Sequence, residues 1–127
     1  MLDDRDRTLS SEVFANAPVW SRHDNRKGWR AFLGDAAASK EVPPYAVAAR
    51  ATNLTNLPPT YIAVGSGELF LDEDVAYAQR LALAGVPVEL HIYPRAFHGW
   101  SLIAPRATIS QQLLAEWNQA LRHAWNS

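Results

Sequence analysis

Apolar and polar positions alternate without order over the first forty residues and become regular after Pro59. "TYIAVG" (60–65) is a nearly unbroken apolar run, the pattern of a strand covered on both faces of a parallel sheet. "DEDVAYAQRLALAG" (72–85) follows at helical spacing and puts Val75, Ala78, Leu81 and Ala82 on one face. Asp72 can cap that helix, Glu73 and Asp74 suit its positive end, and Gly85 stands where a C-terminal glycine stops it. "VPVELHIYP" (86–94) then alternates, with Val86, Val88, Leu90 and Ile92 on one side, and Pro87 places the strand near a sheet edge. Finally, Ile109, Leu113, Trp117, Leu121 and Ala124 recur every three or four residues, predicting an amphipathic helix that begins just after Pro105.

Upstream, punctuation by Pro18, Gly28 and Gly34 leaves room for one short helix. Asn25 is its candidate cap, Trp29, Phe32 and Leu33 form its apolar face, and Gly34 is its stop. "EVPPYAVAARATNLTNLPP" (41–59), with prolines at 43, 44, 58 and 59, reads as a connection holding one helical turn. The chain thus divides into an irregular and helical segment, 1–58, and a β-α-β-α unit, 59–127. A strand, a helix and a strand joined by short links require parallel pairing, so the fold class is α/β.

The length of 127 residues is that of one ordinary domain. Net charge is -1 and no Lys/Arg cluster stands out, which gives no electrostatic footprint for nucleic acid. The absence of cysteine removes disulfides, thiolate nucleophiles and cysteine-based zinc sites. The polar start "MLDDRDRTLSSE" is unlike a signal peptide and no apolar run is long enough to span a membrane, so the expected location is the cytoplasm. "DDRDR" reads as a solvated, mutually paired charge run. His23, His91, His98 and His123 match no metal-binding spacing.

The C-terminal ends of parallel strands share one edge of the sheet, where ligands of open α/β sheets bind. Glu68 lies just past the first strand and His98 just past the second. On neighbouring strands about 4.8 Å apart, the two side chains can meet. A carboxylate that accepts the Nδ1 proton of a histidine fixes its tautomer and leaves Nε2 free as a base. From the residues alone, the other reading is of two loop side chains that are merely solvated or locally hydrogen-bonded.

"LPPTYIAVGSGELFLDEDVAYAQRLALAGVPVELHIYPRAFHGW" resembles the C-terminal part of the hormone-sensitive-lipase-like branch of the α/β-hydrolase fold, a group of carboxylesterases. The likeness extends back through "VPPYAVAARATNL" and "GWRAFLGD" to "MLDDRDRTLSS", and so covers almost the whole chain. It implies that the chain is the C-terminal portion of that fold, carrying its last two parallel strands with flanking helices. It also implies that His98 is the triad histidine and Glu68 the triad acid, with Asp72, Glu73 and Asp74 as rivals. Trp100 stands where many relatives have phenylalanine and is the aromatic expected near a substrate. Trp20 and Trp29 could line an acyl pocket but read first as packing, as do Trp117 and Trp125. Ala48 replaces a proline common in the family's "APAR" stretch.

The resemblance implies a serine nucleophile in G-x-S-x-G and an HGGG-type oxyanion loop, and the sequence contains neither. Ser66, in "VGSGE", lacks the first glycine, and Ser101, in "GWSLI", lacks the second. The expected chain is therefore a truncated or fragmentary hydrolase that begins at what its relatives use as an internal methionine. Alone it should be inactive, taking a small ester substrate only when an N-terminal half completes it. It should need no cofactor or metal. Two strands leave apolar surface and a sheet edge uncovered, so the expected partners are that N-terminal half or a second copy of the chain. The alternative is a non-catalytic, self-associating remnant.

Overall fold

The computed structural model describes residues 1–37, 39, 42–43 and 45–126. Its elements run α1 (Leu9–Val13), α2 (Arg22–Leu33), β1 (Thr60–Gly65), α3 (Leu71–Leu83), β2 (Val88–Tyr93), α4 (Trp100–Ile103) and α5 (Thr108–Asn126). Single 3-10 turns occupy Gly34–Ala36 and Ala48–Arg50. The second of these is the helical turn predicted in the proline-rich connection, of which Glu41 and Pro44 lie outside the described residues.

β1 and β2 pair in parallel, from Thr60 opposite Val88 to Gly65 opposite Tyr93. Both faces of β1 carry apolar side chains, which explains its unbroken run. On one face Ile62 and Val88 pack with Leu54, Leu81 and Val86. Farther along that face Val64 and Leu90 pack with Leu69, Phe70 and Trp20. On the other, Ala63 and Tyr93 meet Trp100, Leu113 and Ile109 from α4 and α5. The cover is incomplete, since only Val64 and Gly65 of β1 are fully buried. Ile92 shares a face with Leu90 but lies beyond the packed cluster and is 46% exposed.

Three helix expectations need correction. α2 is capped by Ser21, not Asn25: Ser21 Oγ accepts the Asp24 N–H at 3.2 Å while the Ser21 N–H donates to Asp24 Oδ2 at 3.0 Å. That reciprocal box outcompetes a cap four residues later, and Asn25 is buried within the helix instead. Gly34 ends α2 with φ of 60°, as expected. α3 begins at Leu71, so Asp72 lies inside its first turn. The capping work is done from α1: Ser10 Oγ accepts the Asp72 N–H at 3.1 Å, and Asp72 Oδ2 accepts the Ser10 N–H at 2.7 Å. The buried face of α3 runs through Ala78 and Leu81 and leaves Ala82 exposed.

α5 is packed only at its start. Leu113 is buried, whereas Trp117, Leu121 and Trp125 are exposed, contrary to the packing expected of the two tryptophans. Its 19 residues extend about 28 Å at 1.5 Å each, against about 20 Å for a six-residue strand. The helix therefore outruns its platform.

"DDRDR" is not solvated. Asp3, Asp4 and Asp6 are all buried. Asp4 meets Arg50 at 2.7 Å, Asp6 Oδ2 lies between Arg22 at 2.7 Å and Arg26 at 2.8 Å, and Asp3 holds Arg5. The Asp3–Arg5 contact is the pairing within the run that was expected; partners from α2 and the Ala48–Arg50 turn make burial of Asp4 and Asp6 affordable, and no local pattern announces those.

Candidate active site

The ends of β1 and β2 are laced together by backbone hydrogen bonds. The Ser66 N–H donates to the Tyr93 carbonyl and the Gly67 N–H to the Ala96 carbonyl, each at 2.9 Å. The Arg95 N–H donates to Ser66 Oγ at 2.8 Å, so that hydroxyl has a structural partner. A Cβ at Gly65 would lie 2.1 Å from the Ala96 carbonyl oxygen, so the closeness of the two loops depends on that glycine.

Glu68 turns back beneath this junction and is only 3% exposed. Its Oε1 accepts the Gly65 N–H at 3.0 Å, and its Oε2 lies 2.7 Å from His98 Nδ1. An ionised carboxylate can only accept, so Nδ1 carries the proton in this contact and Nε2 is the unprotonated nitrogen of a neutral ring. The His98 side chain is 39% exposed, and Nε2 makes no hydrogen bond among the described residues. Gly99 follows in the left-handed region, φ 71°, and starts α4 immediately after the histidine.

Two of the three rivals to Glu68 are engaged elsewhere. Asp72 is bound to Ser10, and Glu73 Oε1 accepts the Leu2 N–H at 2.6 Å. Burial pushes the Glu73 carboxyl up to about 7. Burial likewise raises Asp74 to about 6, helped by the negative charge of Glu68 and opposed by the N-terminal ammonium and His98. Asp74 is thus electrostatically coupled to the Glu68–His98 pair, a relationship that no sequence motif flagged.

Trp100 is not the aromatic neighbour of His98. It is 7% exposed and packs against Tyr93, ring centroids 5.3 Å apart, within the cluster facing α5. With Ala96, Phe97, Ile109 and Ser110 it borders a cleft of about 300 Å³. The rings beside His98 are Phe70, at 5.2 Å and nearly perpendicular, and Trp20, at 5.9 Å. Trp29 is buried away from this junction, bordering a polar cleft with Asp4, Asp6 and Arg26. His91 lies on β2 with Nε2 2.7 Å from Glu89 and Nδ1 3.1 Å from Glu116. Among the described residues no group of three or more His, Cys, Asp or Glu is arranged to hold a metal, and no helix is long and apolar enough to cross a membrane.

A family model described as alpha/beta hydrolase fold matches residues 1–102. The chain belongs to that family. A solved bacterial heroin esterase superposes with a TM-score of 0.92 at 40% identity, covering 98% of this chain and 40% of its own. Esterase LipW of Mycobacterium marinum gives 0.90 at 39% identity, covering 100% of this chain and 39% of its own. Esterase LipI of Mycobacterium tuberculosis is 43% identical over 70 residues, which are 52% of this chain and 22% of that protein. The chain is a C-terminal portion of an alpha/beta hydrolase of the hormone-sensitive-lipase-like branch, spanning about two fifths of the solved structures it matches. The two parallel strands and their flanking helices agree with such a portion.

Proposed function

We propose that the chain supplies the acid and base of a serine carboxylesterase, with Glu68 as the orienting acid and His98 as the general base and then acid. The observation that carries this reading is the buried Glu68 carboxylate, fixed by the Gly65 N–H and 2.7 Å from His98 Nδ1. In the reaction, Nε2 takes the proton of a serine hydroxyl as its oxygen attacks an ester carbonyl. Nε2 then returns that proton to the departing alkoxide as the ester C–O bond breaks. Water releases the acyl group by the same exchange in reverse. Glu68 stabilises the imidazolium present in both halves. No cofactor or metal enters the scheme.

The serine in G-x-S-x-G and the oxyanion donors come, on this reading, from an N-terminal half of the hydrolase, and the 127 residues alone are inactive. The substrate is a small ester, taken by the completed enzyme in the cytoplasm. The test is hydrolysis of p-nitrophenyl butyrate by the chain alone, and after co-expression with the remaining three fifths of the heroin-esterase-like relative. We expect no rate above buffer for the first and a rate abolished by His98→Ala for the second. A His98-dependent rate from the chain alone would overturn the division of labour. No rate from a well-folded complex would overturn the catalytic role.

A second reading, a non-catalytic self-associating module, is favoured by the exposed stripe of Trp117, Leu121 and Trp125 on α5 and by two strands that are both edges. Sedimentation of the chain alone distinguishes them: a discrete dimer dispersed by Leu121→Glu supports the module.

A further inference from the structure

Trp20 owes its place to an unusual turn. Its N–H donates to the carbonyl of Pro18 at 2.9 Å, closing a three-residue turn across Val19, whose φ is 71°. The positive-φ form of this turn is rare and strained, and a β-branched residue at its centre is an outlier. Such strain persists only where the surrounding structure over-determines it, and it concentrates at functional sites. Here the turn abuts the site: Val19 Cγ1 lies 3.6 Å from where a Cβ on Gly99 would stand. The next residue, Trp20, brings its ring to 5.9 Å from that of His98, inclined at 47°, while Phe70 meets His98 edge-on at 5.2 Å. The indole N–H of Trp20 is buried without a hydrogen-bond partner among the described residues. Two adjacent residues therefore each carry a cost, one of strain and one of desolvation, and both lie against the histidine loop.

We infer that Trp20, set by the strained turn at Val19, is a positioning residue for His98. One hydrogen bond from Nδ1 to Glu68 leaves the imidazole free to tilt. Aromatic rings on two sides, Trp20 and Phe70, remove that freedom. The ring plane is fixed, and Nε2 is presented in a constant direction. The inference rests on the proposed role of His98, but its test needs no turnover, so failure of the esterase reading and failure of this one are separately visible.

The experiment is ¹H–¹⁵N NMR of the imidazole of His98 in the 127-residue chain. The wild-type chain should show an Nδ1 proton in slow exchange with water. Trp20→Ala should speed that exchange by roughly tenfold, and Trp20→Phe should restore it. Leu54→Ala, which opens the buried cluster on the far part of the sheet, controls for general destabilisation and should leave the signal unchanged. Should Trp20→Ala fail to fold, Trp20→Leu keeps an apolar filling without a ring and is read the same way. Wild-type exchange in the ringless variant overturns the inference, as does equal loss in Leu54→Ala.

Discussion

The carbonyl oxygen of Ala96 occupies the space that a side chain on Gly65 would need, 2.1 Å from the ideal Cβ position. Gly65 ends β1, its N–H holds Glu68, and Ala96 precedes His98 by two residues. The contact is backbone against backbone, so no rotamer change relieves it. Gly65→Ala should therefore force the two loops apart, costing about 3 kcal/mol or more and breaking the Glu68–His98 hydrogen bond. Urea denaturation measures the first effect and the His98 Nδ1 proton signal the second. A variant within about 0.5 kcal/mol of wild type would show that the junction is looser than described.

Glu68→Gln separates the carboxylate's two contacts. The amide oxygen can still accept the Gly65 N–H, so stability should change little. Its NH₂ group faces His98, however, and favours the tautomer with the proton on Nε2. In the completed hydrolase this should lower kcat by roughly 10³ to 10⁴ with little change in KM, whereas Asp72→Asn should leave kcat within about twofold. Comparable losses for both would reassign the acid.

The Glu68–His98 juxtaposition was legible because it follows from topology: two parallel neighbours must present the loops after them at one edge. The strand β1 and the stop at Gly34 were legible as local chemistry. The cap of α2 was also written locally, in Ser21-x-x-Asp24, whose capping box leaves Asn25 inside the helix. What local pattern could not carry were long-range partners. Ser10 replaces Asp72 as the cap of α3 from 62 positions away, and Asp4 finds Arg50 from 46 away. Trp20 reached His98 through a turn whose positive φ at a valine contradicts residue preference, so propensity pointed away from it. Trp100 follows His98 by two residues, yet its ring packs against Tyr93 in the cluster facing α5, a placement that sequence adjacency does not carry.

Stability should respond to pH through α3. Burial raises Glu73 to about 7 and Asp74 to about 6, from ordinary values of 4.5 and 3.8. Between the ordinary and the raised values the folded chain binds more protons than the unfolded one, so stability falls as pH rises across roughly pH 4 to 7. Asp3 acts oppositely. Burial pushes it up, but its hydrogen bonds to Arg5 hold it below 3.8, and its contribution is lost only in stronger acid. The urea midpoint should thus be higher at pH 5 than at pH 8. Glu73→Gln, which can still accept the Leu2 N–H, should raise the pH 8 midpoint and narrow the gap. A midpoint that climbs steadily from pH 5 to 8 would contradict this.

The Asp4–Arg50 pair decides whether the acidic N-terminal run is surface or framework. Asp4's side chain is fully buried and Arg50's is 13% exposed, with Nε and one terminal nitrogen each 2.7 Å from a carboxylate oxygen. Arg50 also donates to the Ser39 carbonyl, fastening the Ala48–Arg50 turn to the segment after α2. Arg50→Ala should cost about 3 kcal/mol, because it removes the two-pronged partner of a buried carboxylate. Arg50→Lys keeps the charge but cannot make the two-pronged contact, so it should fall between. Replacing both partners, as Asp4→Asn with Arg50→Met, should recover part of the loss, since neither of the two then carries a charge to be desolvated. A solvated run predicts instead that all three variants lie within about 0.5 kcal/mol of wild type, and urea denaturation of the set distinguishes the two.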